Sequence, residues 1–390
     1  MPKVISIAID GNEANVKNRV GSNIYAFHIL KGLEILTRAD TQVKVTVLLT
    51  DPPVVDLPPH RPGWYYQVIG PRPLWTQFAL PIHLFFHHYD VVFTPGHYAP
   101  RISNSPYVSS VMDLAFLKFP DQFKTKDLVQ LKNWTAYSVA KAKKVVVISE
   151  ATKQDVMSYY QRRSEDIVVA YPAVEPARAH IPAHIARNIL TKFKVQHPYI
   201  LYVGTLQPRK NLLRLIEAFE EIKKENQGHK VTASQHKLAA TSLVIAGKVG
   251  WLADEILQKA KSSFVKDQLV ITDYVTDEEK QVLYQQATAL VLIGLYEGFG
   301  LPPLEAMQFG AIPVVANTTS LPEVVGEAGI QVDPLNVSEI SAGLKKALLL
   351  TAKERAQYRK HARQQLKKFD WLNSAQVILT ALKEVAENDK

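Results

Sequence analysis

The chain has 390 residues, of which 47% are hydrophobic and 21% charged, as in a globular protein of two or three domains. It contains no cysteine, which excludes disulfides, thiolate metal sites and thiol nucleophiles. The formal charge of +9 favours anionic partners, but no stacking surface or recognition motif for nucleic acid accompanies it, so we expect none to bind.

The beginning of the chain, MPKVISIAID, reaches an aspartate before an apolar segment of signal-peptide length has formed, so no secretion signal is expected. The most apolar uncharged stretch, 73–89, is too short and too polar to span a bilayer. We therefore expect a cytoplasmic protein. The aromatic segment 74–86 near Arg72 is interpreted either as a core helix or as a peripheral contact with the inner face of an anionic membrane.

Apolar runs of strand length alternate with amphipathic segments along the chain, which is the pattern of βα units on a parallel sheet. The first half is predicted to hold a helix at 24–36 and strands at 4–9, 43–49, 66–69, 91–93, 107–111 and 145–148. A proline-rich segment without periodicity, 171–182, indicates a linker between two domains.

The second half shows the alternation more plainly. Its predicted strands are 199–203, 243–246, 269–272, 289–293, 312–316 and 330–332. Helices are expected at 211–225 and, as one long basic helix, at 337–368, followed by an amphipathic segment that ends at Val385. Two doubly wound α/β domains with a cleft between them are the simplest architecture, and the loops after the strands should carry the chemistry.

One segment after a predicted strand, LYEGFGLPPLEAM at 295–307, has the composition of a ligand-binding loop. Gly298 and Gly300 permit close backbone approach, and a helix start that follows them attracts phosphate oxygens. Glu297 in the loop and Glu305 in the first helical turn can face one pocket. Carboxylates placed there can accept hydrogen bonds from sugar or ribose hydroxyls.

The spacing of the two glutamates in this segment resembles the signature of family-4 retaining glycosyltransferases, which have the GT-B fold. Similar segments are LYVGTLQPRKNLLRLIEAF at 201–219, VIAGKVGW at 244–251, SLPEVVGEAG at 320–329 and FDW at 369–371. The resemblance implies two Rossmann-like domains facing across a cleft, with a C-terminal helix that crosses back to the first. It places an acceptor-binding domain at 1–176 plus 370–390 and a nucleotide-sugar-binding domain at 177–369.

The resemblance also implies roles for individual residues. Glu305 is expected to hold the ribose hydroxyls, and Glu297 to contact the transferred sugar. Arg209 and Lys210 are expected to neutralise the donor diphosphate, and Asp113 is the retained acid of a catalytic segment in the first domain. The other donor-binding residues that it implies are Gly298, Phe299, Gly300, Leu301, Gly21, Gly204, Thr205, Gly247, Tyr274 and Val275.

Three positions depart from the family pattern. Thr205 stands where many members have an arginine after the strand glycine, and Arg209 is the expected substitute. Asn23 replaces the second glycine of the first-domain loop, and asparagine tolerates a positive φ there better than most residues. Met112 stands where relatives have a histidine beside the reacting sugar, so either the sugar or the acceptor differs, or another group such as His97 takes over.

The expected activity is transfer of a hexosyl unit from a UDP- or GDP-sugar to a hydroxyl of a glycan or lipid-linked acceptor. No D-x-D sequence occurs, and neither a metal nor another cofactor is expected. Two alternatives stay open: a catalytically silent nucleotide-sugar-binding subunit, and a sugar-nucleotide epimerase on the same fold. Glu323 is not counted among the catalytic acids, because its spacing from Ser320 predicts a capping box at a helix start.

Overall fold

A computed structural model describes residues 4–70, 72, 75–96, 98–177, 181–225 and 232–388. The chain forms two compact units, Met1–Pro172 with Phe369–Lys390, and Ala173–Lys368. The sequence places the domain boundaries after residues 176 and 369, whereas the units change over after 172 and 368. Residues 178–180 of the predicted linker lie outside the described part of the chain.

The first unit is built on a parallel sheet, whose described strands follow the order β3-β2-β1-β4-β5-β6-β7. These strands are β1 Ile5–Asp10, β2 Val43–Leu49, β3 Trp64–Val68, β4 Val91–Thr94, β5 Tyr107–Val111, β6 Lys144–Val147 and β7 Ile167–Val169. All but β7 are predicted from the sequence, with ends displaced by no more than a few residues. The edge strand β7, which has 3 residues, is not predicted.

The C-terminal helix packs on the first unit, as predicted. The helices of this unit are α1 Ser22–Thr37, α2 Ala79–Phe86, α3 Ala115–Lys118, α4 Thr125–Lys141, α5 Glu150–Tyr160 and α15 Trp371–Asn388. Helix α15 lies against α1, so closely that a Cβ added at Gly32 would be 2.5 Å from the Ala375 Cβ. Trp371 stacks on His28 and meets the edge of Tyr25, with ring centroids 4.6 and 5.9 Å apart.

The second unit has a parallel sheet of described strands in the order β10-β9-β8-β11-β12-β13. They are β8 Tyr199–Val203, β9 Ser242–Ala246, β10 Leu269–Asp273, β11 Ala289–Leu292, β12 Ile312–Ala316 and β13 Ile330–Val332. The helices are α6 Ala183–Lys192, α7 Leu212–Lys224, α8 Ala233–Ala240, α9 Asp254–Ser262, α10 Asp277–Gln286, α11 Leu301–Phe309, α12 Leu321–Val325, α13 Val337–Leu349 and α14 Ala352–Leu366. Every strand predicted for this half is confirmed.

The prediction of one helix at 337–368 is wrong, because the segment forms α13 and α14 with a break at Leu350 and Thr351. Thr351 begins α14 with a capping box. The Glu354 N–H donates to the Thr351 hydroxyl at 3.2 Å, and the Glu354 carboxylate accepts from the Thr351 N–H at 2.8 Å. Helix α13 then packs on α7, while α14 packs on α11. A threonine three residues before a glutamate is the sequence signal for this break.

Helix α2 lies in the segment that the sequence leaves between a core helix and a membrane contact. Leu80 and Leu84 on its inner face are fully buried in the core of the first unit. Large apolar side chains on its outer side are 52–74% exposed: Phe78, Ile82, Phe85 and Phe86. The core interpretation therefore holds for one face only. In the part of the chain that the structure describes, no helix is long and apolar enough to cross a membrane.

Replacing Gly32 by alanine tests the packing of α15 on α1. Alanine favours a helix by about 1 kcal/mol over glycine, but overpacking against Ala375 costs about 1–3 kcal/mol. We expect Gly32→Ala to lower the melting temperature by roughly 2–4 °C, and a second change, Ala375→Gly, to restore it. Scanning calorimetry measures both. A Gly32→Ala protein as stable as the wild type would contradict this packing.

Candidate functional site

At the centre of the carboxyl edge of the second sheet, two neighbouring strands are followed by glycines, which have no side chain. Gly204 follows β8 and donates its N–H to Ala246 O at 2.9 Å, and Gly247 follows β9 and donates to Asp273 O at 3.0 Å. Gly247 has φ +146, and a Cβ there would lie 2.1 Å from Gly204 O. Burial raises the pKa of Tyr202, next to Gly204, so its hydroxyl stays protonated. No side chain fits between the two strand ends.

A buried asparagine shapes the loop after β8. Beyond the exposed Thr205, residues Pro208–Lys210 form one 3-10 turn that ends at Asn211, whose φ is +62. The Asn211 side chain donates to Ile293 O at 3.1 Å and to Pro334 O at 2.6 Å. It therefore ties this loop to the ends of two other strands. This role was not predicted from the sequence, although asparagine is the residue other than glycine that best tolerates the left-handed conformation.

Glu297 and Lys210 form an ion pair at this edge. Lys210 Nζ donates to both carboxylate oxygens, at 2.7 and 2.8 Å, and Glu297 is only 8% exposed. Arg209 donates to Tyr296 O at 3.2 Å and lies 3.9 Å from the same carboxylate. Gly294 leaves room for it, since a Cβ there would be 2.7 Å from Glu297 Oε1. The structure thus brings together three of the predicted site residues.

The glycine-rich loop is held from below by Ser320. The Ser320 hydroxyl lies 2.9 Å from Glu297 O and 2.7 Å from Phe299 O, and these carbonyls accept its hydrogen bond. The predicted capping box is therefore wrong, because the hydroxyl makes no cap bond to its own helix. The hydroxyl of a buried serine donates to carbonyls that tertiary packing brings near it. Sequence spacing alone does not predict which carbonyls these are.

The start of α11 offers fewer donors than a helix N-terminus usually does. Gly300 is left-handed, with φ +103, and a Cβ there would be 2.6 Å from a methyl of Leu321. Leu301 begins the helix, but Pro302 and Pro303 have no N–H. The backbone groups predicted to face a ligand are therefore those of the loop itself, Gly298 to Leu301, rather than those of the first helical turn.

Glu305, in α11, is bound by two side chains of α10. Lys280 Nζ lies 2.9 Å from Oε1, and the Tyr284 hydroxyl donates to Oε2 at 2.6 Å. Burial, and then the charge of Glu305, raise the pKa of Tyr284 well above its usual value. Neither partner was predicted. Their four-residue spacing places both side chains on one face of a helix, but nothing in the sequence indicates that this face meets Glu305.

Tyr274 and Val275 follow β10 at the same edge. Asp273 has φ +59 and accepts the Tyr274 N–H on its carboxylate at 2.8 Å. The Tyr274 ring is 61% exposed, and Lys248 Nζ lies 4.9 Å from its centroid. Across the described residues, no group of three or more histidine, aspartate or glutamate side chains is placed to hold a metal ion.

The first unit carries the remaining predicted residues. Gly21 has φ +51 and precedes α1, while Asn23 lies inside that helix, so no positive φ is needed at position 23. The Asn23 amide instead donates to the Glu13 carboxylate at 2.7 Å. Asp113 follows β5 and accepts the Ala115 N–H at 3.0 Å. Met112 beside it is buried. His97 lies outside the described residues.

Solved structures share this architecture over nearly the whole chain. Sucrose-phosphate synthase from Thermosynechococcus elongatus has a TM-score of 0.71 and 17% identity, covering 97% of this chain and 98% of that one. Anabaena Alr3699/HepE, in complex with UDP and glucose, has a TM-score of 0.70 and 15% identity, covering 97% and 100%. These identities show the fold alone, two Rossmann-like units of the GT-B kind.

Sequence comparison adds the family. Residues 189–365 match the family model "Glycosyl transferases group 1", and residues 24–178 match "Glycosyltransferase Family 4". O-antigen chain mannosyltransferase B of Escherichia coli is 30% identical over 301 residues, which are 74% of this chain and 73% of that protein. Fold and sequence together therefore define a glycosyltransferase. The chain belongs to glycosyltransferase family 4, as its motifs predict.

Proposed function

We propose that the protein is a retaining, metal-independent hexosyltransferase. Its donor is a UDP- or GDP-sugar, and its acceptor is a hydroxyl of a glycan or lipid-linked molecule. The observation that carries the proposal is Glu297, bound on both oxygens by Lys210 with Arg209 beside it. Mannose is the favoured sugar, because mannosyltransferase B is 30% identical to this chain.

In this proposal the donor is bound mainly by the second unit. Glu305 accepts hydrogen bonds from the ribose hydroxyls, and Glu297 accepts them from the transferred hexose. Arg209 and Lys210 stabilise the charge that develops on the departing nucleoside diphosphate. The first unit binds the acceptor and supplies Asp113. The remaining donor contacts are assigned to Gly21, Gly204, Thr205, Gly247, Gly298, Phe299, Gly300, Leu301, Tyr274 and Val275.

The charges at the edge suit a diphosphate. Lys210 pairs with Glu297 and Lys280 with Glu305, so each carboxylate is neutralised where it stands. Arg209 adds a positive charge that is only weakly compensated, at 3.9 Å from Glu297. The five side chains together carry a net charge of +1 at neutral pH. Carboxylates that accept hydrogen bonds from sugar hydroxyls and a net positive charge that binds phosphate can therefore occur at the same edge of the sheet.

We propose that the donor's own phosphate supplies the base. The sugar–phosphate bond breaks, a phosphate oxygen takes the acceptor hydroxyl proton, and the new glycosidic bond forms on the face that the diphosphate leaves. This route needs no protein nucleophile. Glu297 is a poor candidate for one, because the Lys210 ammonium bound to both of its oxygens lowers their nucleophilicity.

Turnover with defined donors tests the activity. The purified protein with GDP-mannose and a glycolipid extract should release GDP, faster than it releases UDP from UDP-glucose. Chelation by EDTA should leave the rate unchanged, because side-chain cations neutralise the phosphate charge.

Glu305→Ala should remove most of the rise in melting temperature that GDP causes, whereas Glu323→Ala should not. Stabilisation by a nucleotide without turnover would instead assign a silent binding subunit, and a donor epimerised without transfer would assign an epimerase.

A glutamine at position 297 tests the mechanism. Glu297→Gln keeps the shape of the side chain but removes the charge that Lys210 binds. We expect kcat to fall by roughly 100-fold, with no covalent sugar on the protein in intact-mass spectra of either form. A glycosyl-enzyme adduct that accumulates on the variant would contradict the phosphate-assisted step and place a nucleophile on the protein.

We also propose that the outer face of α2 rests on an anionic membrane, at its cytoplasmic side, where a lipid-linked acceptor would be collected. Four large apolar side chains are exposed there, and the Arg72 side chain nearby in sequence is 76% exposed. Residues 1–190 hold 21 basic and 15 acidic side chains, a net charge of +6. Aromatic rings combined with cations favour an anionic interface.

Sedimentation with vesicles tests this contact. The protein should bind phosphatidylglycerol vesicles more tightly than phosphatidylcholine vesicles, and salt should weaken the binding. Phe85→Ser should reduce the bound fraction by about fivefold. Phe264→Ser, at a phenylalanine of the second unit that is 50% exposed, is the matched control and should leave it unchanged. Equal loss in both variants would refute a role specific to α2.

A further inference from the structure

Both oxygens of the Glu305 carboxylate are bound by one face of helix α10. Lys280 Nζ is 2.9 Å from Oε1, and the Tyr284 hydroxyl is 2.6 Å from Oε2. The two residues are four apart, which is one helical turn, so they approach the carboxylate side by side. An arrangement with a separate donor for each oxygen fixes the rotation of the carboxylate plane as well as its position.

The tyrosine is a rigid donor. Its side chain is fully buried in the core of the second unit, where its ring stacks on Phe309 with centroids 6.4 Å apart. Burial and the adjacent carboxylate raise its pKa, so the hydroxyl keeps its proton. The bond to Glu305 therefore does not depend on pH near neutrality. Lys280 is more open, with a side chain 30% exposed.

The carboxylate keeps acceptor capacity on its open side. The Glu305 side chain is 23% exposed, and each carboxylate oxygen has about two lone-pair directions. One direction on each oxygen is used by α10, which leaves another on each. Two adjacent acceptors of this kind match a vicinal diol, which presents two hydroxyl donors a similar distance apart. The sugar of a ribonucleotide has such a diol, and that of a 2′-deoxyribonucleotide does not.

We infer that Lys280 and Tyr284 are positioning residues that aim the Glu305 carboxylate at both ribose hydroxyls, and thereby set a preference for ribonucleotide over 2′-deoxyribonucleotide donors. This inference rests on the proposed function, in which Glu305 binds the ribose. Lys280 has a second effect. Its positive charge cancels that of Glu305, so the carboxylate does not repel the diphosphate that the same donor carries.

Calorimetric affinities for GDP and 2′-deoxy-GDP test the inference. The wild type should prefer GDP by roughly tenfold, the value of a hydrogen bond to a charged group. Tyr284→Phe keeps the ring and removes only the hydroxyl, and it should reduce this preference to about twofold. Lys280→Met should weaken both nucleotides, while Lys280→Arg should retain most of the affinity. In steady-state assays Tyr284→Phe should raise the donor KM with little change in kcat, because the ribose is remote from the reacting bond.

Matched variants separate positioning from stability. Tyr199→Phe removes another buried tyrosine hydroxyl of the same core, one that donates to Leu283 O at 2.7 Å. It should lower the melting temperature about as much as Tyr284→Phe does, without changing the ribose preference. Lys192→Met removes the lysine that pairs with Glu279, a residue of α10, and should leave nucleotide affinity unchanged.

The outcomes distinguish this inference from the function on which it rests. A wild-type preference for GDP that Tyr284→Phe leaves intact overturns the positioning role and spares the proposed function. Equal affinity of the wild type for both nucleotides removes Glu305 from the ribose and overturns the inference with it. A wild type that binds neither GDP nor UDP overturns the proposed function itself. Loss of preference in Tyr284→Phe alone, with Tyr199→Phe unaffected, supports the inference.

Discussion

The ion pair between Lys210 and Glu297 joins the loops after β8 and β11, which are neighbouring strands of the second sheet. Removing one member of a buried pair leaves an uncompensated charge, at a cost of about 3–5 kcal/mol, so the surrounding structure is arranged to keep the two together. Gly294 gives the carboxylate its space, and Asn211 fixes the turn that carries the lysine. Ser320 holds the carbonyls of the glycine-rich loop. The segments that follow four strands, β8, β11, β12 and β13, thus meet around one contact.

The same device occurs a second time at Glu305, with Lys280 as its partner. In both cases a glutamate of the loop–helix segment after β11 pairs with a lysine from another part of the unit: Lys210 from the loop after β8, and Lys280 from helix α10. A paired carboxylate keeps its ability to accept hydrogen bonds but loses most of its long-range repulsion. Two of the chain's basic residues, Lys210 and Lys280, thus have a local role as partners of these carboxylates.

All strands but β7 could be predicted because each is a short apolar run between turn signals, and the segment 295–307 because its glycines and glutamates lie close together in the sequence. Contacts between residues that are far apart in the sequence could not be predicted. Lys280 and Tyr284 are ordinary residues of an amphipathic helix until α11 is placed beside them, and Ser320 imitates a cap until the loop carbonyls are in position. The break at Thr351 is different, since its capping box could be recognised in the sequence.

The contact between the strand ends at Gly204 and Gly247 closes position 247 to variation, because any side chain would begin 2.1 Å from a backbone oxygen. Substitutions at this edge are therefore expected at the exposed side chains around the two glycines instead. Lys248 and the exposed ring of Tyr274 stack there, and both side chains can change without disturbing the sheet. Under the proposed function, a library meant to alter nucleotide choice would be randomised at 248 and 274, around an untouched pair of glycines.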